Sequence, residues 1–369
     1  MKILILYRWS SGNSYNHLCN VDFYQYLNKL PNIEAKFYGV DINRIFPDMA
    51  VCQFQANITL KQIWEKYNFD VIIVAGRNRT FYKPKEDKSW LPSDFVNYNC
   101  LKILVEPDYH KYRKLSWFKD MKFDLILHRH KTNVVRAESD FPELKHIWFP
   151  FSVDTSIFYP KNDNRENKVC FVGNMKSKSY YFRQKSSEKL NEYNLINNEG
   201  LQFEQNYINT LQKYSVYLSG SSLYTIDCAK AFEIIASGGI LLTNDCHNGF
   251  KDLFKNCFVT YKTDLSNLIK QAKLILEDKT KQQNLIKKGL KIIKKKHTHY
   301  KRCKDLVNII YNYNSNLNPK QKIKTLNIVY TIGDLTEDAW KRFENSYNSI
   351  KQNNNYNIKI SEIDRKSVV

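Results

Sequence analysis

Three hundred and sixty-nine residues exceed one ordinary domain and suit two, at roughly 100–200 residues each. Apolar residues make up 43% and charged ones 25%, a globular composition, and 57 Lys plus Arg against 37 Asp plus Glu leave a net charge of +20. No apolar run approaches the ~20 residues that span a bilayer, and the opening apolar stretch stops at Arg8, too short for a signal-peptide core. A membrane-spanning or secreted protein is disfavoured.

In chain order, residues 2–7 read as a strand, 17–30 as a helix, 33–40 as a strand and 60–67 as a helix. Compact apolar runs follow at 70–74, 101–105 and 123–127, each bounded by polar residues. The pattern changes at Trp148-Phe149-Pro150-Phe151-Ser152-Val153-Asp154, and 163–167 read as polar and flexible. A second alternation then begins, with strands at 168–172 and 215–219. The helix at 228–237 is closed by Gly238-Gly239, the expected left-handed stop. Strands at 240–243 and 257–261 and helices at 265–276 and 283–296 complete it, the last helix basic and amphipathic. Strands alternating with helices indicate parallel sheets wrapped by helices. The expected fold is therefore α/β with two Rossmann-like domains: 1–150, 151–315, and an extension at 316–369. In that extension 312–322 reads as a loop, 326–332 and 357–360 as strands, and 336–351 as a helix.

Eight cysteines lie far apart, at 19, 52, 100, 170, 228, 246, 257 and 303, with no C-x-x-C pair. That pattern excludes a zinc ribbon or thioredoxin-like site and predicts reduced thiols in a cytoplasm. The positive charge permits a polyanionic partner, either nucleic acid or an anionic membrane face. The Lys, Asn, Ile and Tyr content of the whole chain gives the simpler source, a composition bias.

Ligands of open parallel sheets bind beyond the carboxyl ends of the strands. Glu106, Asp108 and His110 stand after one candidate strand and His128, Arg129 and His130 after another. Gly173-Asn174 and Thr243-Asn244-Asp245 do so in the second half. Asp108 and His110 could serve as general base and its orienter, or simply form a turn and start a helix. His128 and His130 share one face of an extended backbone but lack a third ligand at recognisable spacing, so no metal site is expected. Lys230 and Glu233 open the helix after residue 228. They suit either a phosphate and a ribose diol or a surface pair three residues apart. No G-x-G-x-x-G, no G-x-x-x-x-G-K-[ST] and no G-x-S-x-G is present, so the dehydrogenase, P-loop and hydrolase fingerprints are missing.

The run Phe149-Pro150-Phe151-Ser152-Val153-Asp154 through Phe158 resembles the inter-domain signature of GT-B glycosyltransferases. Ala231-Phe232-Glu233 through Thr243 resembles their nucleotide-sugar segment. Phe171-Val172-Gly173-Asn174 with Arg183 resembles the first strand-loop of the second domain. His297-Thr298-His299-Tyr300 with Arg302 resembles the closing segment of the CgeB-like branch, and Glu106 to His110 its first domain. Leu326 to Ile332 with the helix after it resembles the opening unit of a GT-A, family-two-type domain; the alternative is a C-terminal return helix.

The resemblance implies transfer of a sugar from a nucleotide sugar, a UDP-sugar, to a glycan, surface polymer or protein. It places Gly173, Asn174, Arg183, Lys230, Glu233, Gly238 and Thr243 on the donor and Asp108, His110 and His128 on the acceptor side. Glu233 would hold the ribose. A helix N-terminus with Arg183 and Lys230 would offset the charge on the leaving diphosphate, giving transfer without a metal or other cofactor. Many relatives carry a second Glu eight residues before Glu233; here that position is Thr225, which leaves the stereochemical outcome open. Two alternatives keep the fold: a DNA-modifying transferase, marked by steep salt dependence, and an inactive sugar-nucleotide-binding module.

Overall fold

The computed structural model describes residues 1–7, 23–39, 42, 46–55, 57–75, 91–106, 109, 120–161, 164–175, 181–221, 229–244, 249–316, 324–332 and 356–364. Two compact units divide the chain at Met1–Lys304 and Asp305–Val369.

The first unit holds two parallel sheets. One comprises β1 (Lys2–Tyr7), β2 (Glu34–Tyr38), β3 (Val71–Ala75), β4 (Leu101–Glu106), β5 (Leu125–His128) and β6 (Lys145–Trp148), in the order β2-β1-β3-β4-β5-β6. Its central strands are apolar runs because both faces are covered. Leu4, Leu6, Ile72, Val74, Leu104 and Ile126 pack one face against Leu60 and Ile63 of α1 (Leu60–Lys66) and Ala137 of α2 (Lys131–Asp140). Ile3, Ile5, Ile73, Ile103 and Leu127 are equally buried. Thr59 and Gln62 close a reciprocal capping box at the start of α1.

The second sheet comprises β7 (Glu166–Val172), β8 (Ile196–Gly200), β9 (Tyr214–Leu218), β10 (Ile240–Asn244) and β11 (Val259–Tyr261), in the order β11-β10-β9-β7-β8. Cys170, Val172, Tyr217 and Leu241 pack against Phe232 and Ile235 of α5 (Ala229–Ala236). On the other face Phe171, Val216, Leu218 and Leu242 meet Leu190 of α3 (Tyr181–Glu192) and Leu268, Ala272 and Ile275 of α7 (Leu268–Glu277). Other helices among the described residues are α4 (Glu204–Lys213), α6 (Phe250–Phe254), α8 (Lys279–Ile292), continued by a π-turn at Ile293–His297, and α9 (His299–Asn316).

Gly238 adopts φ +78° and ends α5, as its sequence predicts. Arg165 anchors the same helix end: its guanidinium donates to the carbonyls of Leu211 in the last turn of α4 (3.1 Å), Tyr214 just after α4 (2.8 Å) and Ser237 just after α5. A cation placed there satisfies carbonyls that a helix terminus leaves open.

Several expectations need correction. The stretch expected to be flexible around 163–167 gives way at Glu166 to strand, paired with Tyr214. The loop expected from residue 312 begins later, since α9 runs to Asn316. Of the helix expected over 17–30, the described part ends as a 3-10 turn at Tyr26–Lys29. The second unit also holds a parallel pair, β12 (Lys324–Ile332) with β13 (Tyr356–Asp364), in continuous register. Among the described residues no helix is long and apolar enough to cross a membrane.

Candidate active site

All strands of the second sheet run parallel, so their carboxyl ends share one edge. β7 delivers Val172 and Gly173 there, β9 delivers Gly220 and Ser221, β10 Asn244 and β11 Tyr261. α5 starts at the same edge, because a helix between parallel strands must run back across the sheet.

Lys230, in the first turn of α5, donates its ammonium to the Val172 carbonyl and stands over the Phe171 ring. Gly173 adopts φ +132°, and a Cβ on it would collide with the Lys230 Nζ. The lysine tip could move aside, but the positive φ itself favours glycine at this strand end. One turn on, Glu233 is 4% exposed and its carboxylate accepts a hydrogen bond from the Tyr207 hydroxyl. Lys230 and Glu233 are thus not a surface ion pair; each is fixed by a separate partner.

Arg183 of α3 is 7% exposed, and its Nε donates to the Gly220 carbonyl at 2.9 Å. Beside it the Ser221 N–H donates to Asn244 Oδ1 (2.7 Å) while Asn244 Nδ2 donates to Ser221 Oγ (2.8 Å). The Tyr261 hydroxyl bonds Ser186 Oγ at 2.9 Å. This reciprocal clamp holds the β9 and β10 ends together and keeps a buried positive charge under the Gly220 loop. Asn174 is exposed beside Gly173, and Thr243 lies buried within β10 with its hydroxyl unpartnered. Gly238, grouped with these residues on sequence grounds, lies at the far end of α5, against Pro160 and Arg165. It shapes the helix end and does not join the constellation.

In the first sheet His128 ends β5, but its ring turns inward and is fully buried. His128 Nε2 lies 3.0 Å from His146 Nδ1, and His146 Nε2 lies 3.0 Å from the Phe141 carbonyl. A carbonyl only accepts, so His146 carries its proton on Nε2 and His128 donates to the bare Nδ1. Burial lowers the pKa of both, that of His128 to about 3, so the chain is neutral. His130 is likewise buried, edge-on to Phe151. The two histidines thus face different partners. Asp108 and His110 lie outside the described residues, as do Thr225 and Asp245. Tyr109 between them is buried and donates to Asp140 at 2.8 Å.

The two sheets are joined by more than a linker. Val153 N donates to the His297 carbonyl (2.9 Å) and His299 N to the Val153 carbonyl (3.1 Å), a parallel bridge. Ser152 Oγ bonds His299 Nδ1 at 2.9 Å, and Arg302 donates to the Phe151 carbonyl and to His297 Nδ1, each at 3.1 Å. Asp154 accepts from Ser156 N (2.9 Å) and Oγ (2.6 Å), and from the Tyr26 hydroxyl (2.9 Å) of the first sheet's flank. Burial opposes ionisation of Asp154, but these donors and His299 outweigh it and depress its pKa. Burial also lowers His299 to about 4 and, with Arg302 beside it, His297 to about 3. The segment from His297 to Arg302 is therefore the joint.

Sequence reasoning singled out Asn244 and the Ser219–Ser222 stretch but missed the bonds between Ser221 and Asn244, and it missed Tyr207, Tyr261 and Arg165. Tyr207 sits on α4, a helix the sequence reading did not include. The others matter only through partners distant in sequence.

Residues 172–308 match a family model described as "Glycosyl transferase-like". Among curated proteins no relative matches the sequence. Solved structures similar in fold include a glycosyltransferase from Rickettsia africae (TM-score 0.58, 12% identity, covering 85% of this chain and 99% of that one). Another is HepE of Anabaena in complex with UDP (TM-score 0.55, 10% identity, 85% and 100%). A third is an α-glucosyltransferase in complex with UDP and a 13-mer DNA containing an HMU base (TM-score 0.57, 12% identity, 84% and 99%). These likenesses establish the shared fold.

Proposed function

We propose that this chain is a GT-B glycosyltransferase that moves a sugar from a uridine diphosphate sugar to a glycan, surface polymer or protein in the cytoplasm, a reading supported by the family match over residues 172–308 and the shared fold. One observation carries this reading: Gly173, Lys230, Glu233, Gly220 and Asn244 converge on the carboxyl edge of the second sheet. A diphosphate laid over Gly173 meets the Lys230 ammonium and the start of α5. The ribose diol, one turn along the helix, donates to the Glu233 carboxylate, whose position Tyr207 fixes. The uridine choice is supported by fold relatives that hold UDP or UDP-glucose.

As the anomeric bond breaks, the diphosphate gains negative charge. Lys230, the buried Arg183 and the N–H groups opening α5 stabilise it where it develops, without a metal. On the acceptor side Asp108 or His110, following β4, removes the hydroxyl proton. His128 is left out, because its ring is spent on His146 inside the sheet. Residues 1–150 then form the acceptor side and 151–315 the donor side of a CgeB-like transferase, and the extension is the start of a GT-A, family-two-type domain or a return helix.

Thermal shifts with UDP-, GDP- and dTDP-sugars test the donor, since a ligand that binds only the folded state raises the melting temperature. UDP-sugars should stabilise most. Turnover with the responding sugar should persist in EDTA; activity lost in EDTA and restored by Mg²⁺ or Mn²⁺ refutes the metal-free route.

A further inference from the structure

A row of exposed lysines lies along α8 and the turn after it. Between Asp278 and Asp305 the sequence contains no acidic residue. The first two-thirds of that stretch are α8 and the π-turn after it. Gln282, Leu285, Gly289 and Ile293 recur at helical spacing and are buried, with Gly289 close against Ile235. The opposite face therefore looks to solvent. Lys281, Lys287, Lys288, Lys291, Lys294 and Lys295 are all exposed there, and none has an ion-pair partner among the described residues. Against a chain in which Lys is common everywhere, this row is unbroken by compensating charge.

The row spans about 20 Å, at 1.5 Å per residue, with neighbouring ammonium groups within a Debye length of roughly 8–10 Å, so their fields add. Its chemistry narrows the partner. No arginine and no aromatic residue occurs between positions 279 and 296. Nucleic-acid grooves combine backbone cations with stacking aromatics and bidentate arginines. A lysine-only row on an amphipathic helix instead suits a diffuse layer of lipid phosphates, which asks for charge and not for geometry.

We propose that this lysine face docks the protein on an anionic lipid bilayer. The inference does not depend on the donor or acceptor proposed above.

The test is co-sedimentation of the full chain with vesicles of one-third phosphatidylglycerol in phosphatidylcholine, against phosphatidylcholine alone. Binding is expected only with phosphatidylglycerol, and it should fall steeply from about 0.1 M to about 0.5 M NaCl. The variant K287Q/K291Q/K294Q/K295Q should bind at least about 100-fold more weakly, taking about fivefold per lysine. A matched variant elsewhere on the exposed surface, K61Q/K66Q/K145Q/K161Q, removes the same charge and should bind nearly as the parent does. Both variants should melt as the parent does. The proposal fails if phosphatidylglycerol vesicles are not bound, or if the two variants lose binding equally. It also fails if a DNA duplex displaces the vesicles from the same face at equal salt.

Discussion

Glu233→Gln isolates the carboxylate that the candidate site assigns to the ribose. In the native protein Glu233 is 4% exposed and accepts the Tyr207 hydroxyl on Oε2. Hydrogen bonds to a charged group are worth about 1.5–3 kcal/mol each. Glutamine keeps one acceptor and turns the other into a donor, so a diol loses one bond wholly and has the second weakened. The loss should be about 2–4 kcal/mol, or roughly 30–1,000-fold in UDP affinity. The fold should change little, because Gln still accepts from Tyr207 and a buried charge is removed; melting should shift by only a few degrees. Calorimetry with UDP and 2′-deoxy-UDP on both proteins closes a double-mutant cycle. The native protein should prefer UDP, and the variant should bind the two nucleotides alike. If the well-folded variant keeps both its UDP affinity and its preference for the 2′-hydroxyl, Glu233 does not hold a ribose.

Other outcomes follow from the packing. Arg165→Met strips three carbonyls of their donor and should destabilise the protein by about 3 kcal/mol or more in a denaturant titration, with Arg165→Lys restoring part of it. Lys131 and Asp252, 2.6 Å apart, are both half exposed, so Lys131→Ala should cost no more than about 1 kcal/mol; a larger loss shows that the pair is not the solvated contact its exposure indicates. Stability should fall with acid. The folded pKa of His299 is about 4 and those of His128 and His297 about 3, all below the unfolded value near 6.5. Their stabilisation is complete above that value and lost as pH falls toward the folded ones, because the unfolded chain then binds more protons. Urea midpoints measured at about pH 7 and about pH 5 should drop by an amount that His299→Asn reduces; a flat profile refutes the buried neutral histidines.

The parts of the fold legible in the sequence are those where apolarity alone marks the element. β1, β3 and β4 are covered on both faces, and their continuous runs show it. α5 showed itself through its apolar face and its glycine stop. β8 was hidden because Ile196–Gly200 is a sheet-edge strand with polar residues on its open side. α2 carries too few apolar positions to show a period, while in α4 the spacing of Tyr207, Ile208 and Leu211 is helical but was passed over among polar neighbours. In the site, strand-end residues were found by their place after apolar runs, which brought in Gly173 and Asn244. The same logic misplaced His128. β5 is flanked on both sides by β4 and β6, and the His146 ring draws the imidazole inward. Gly238 was misgrouped because nearness in sequence to Glu233 conceals that the two sit at opposite tips of α5.

The bridge at Val153 makes the connection between the sheets a strap of two backbones laid side by side, not a single cord. Such a strap folds readily across its width but resists being wrung about its length, since wringing shears the bonds from Val153 to His297 and His299. Those two bonds make the crossing stiffer against torsion than a single strand of backbone is.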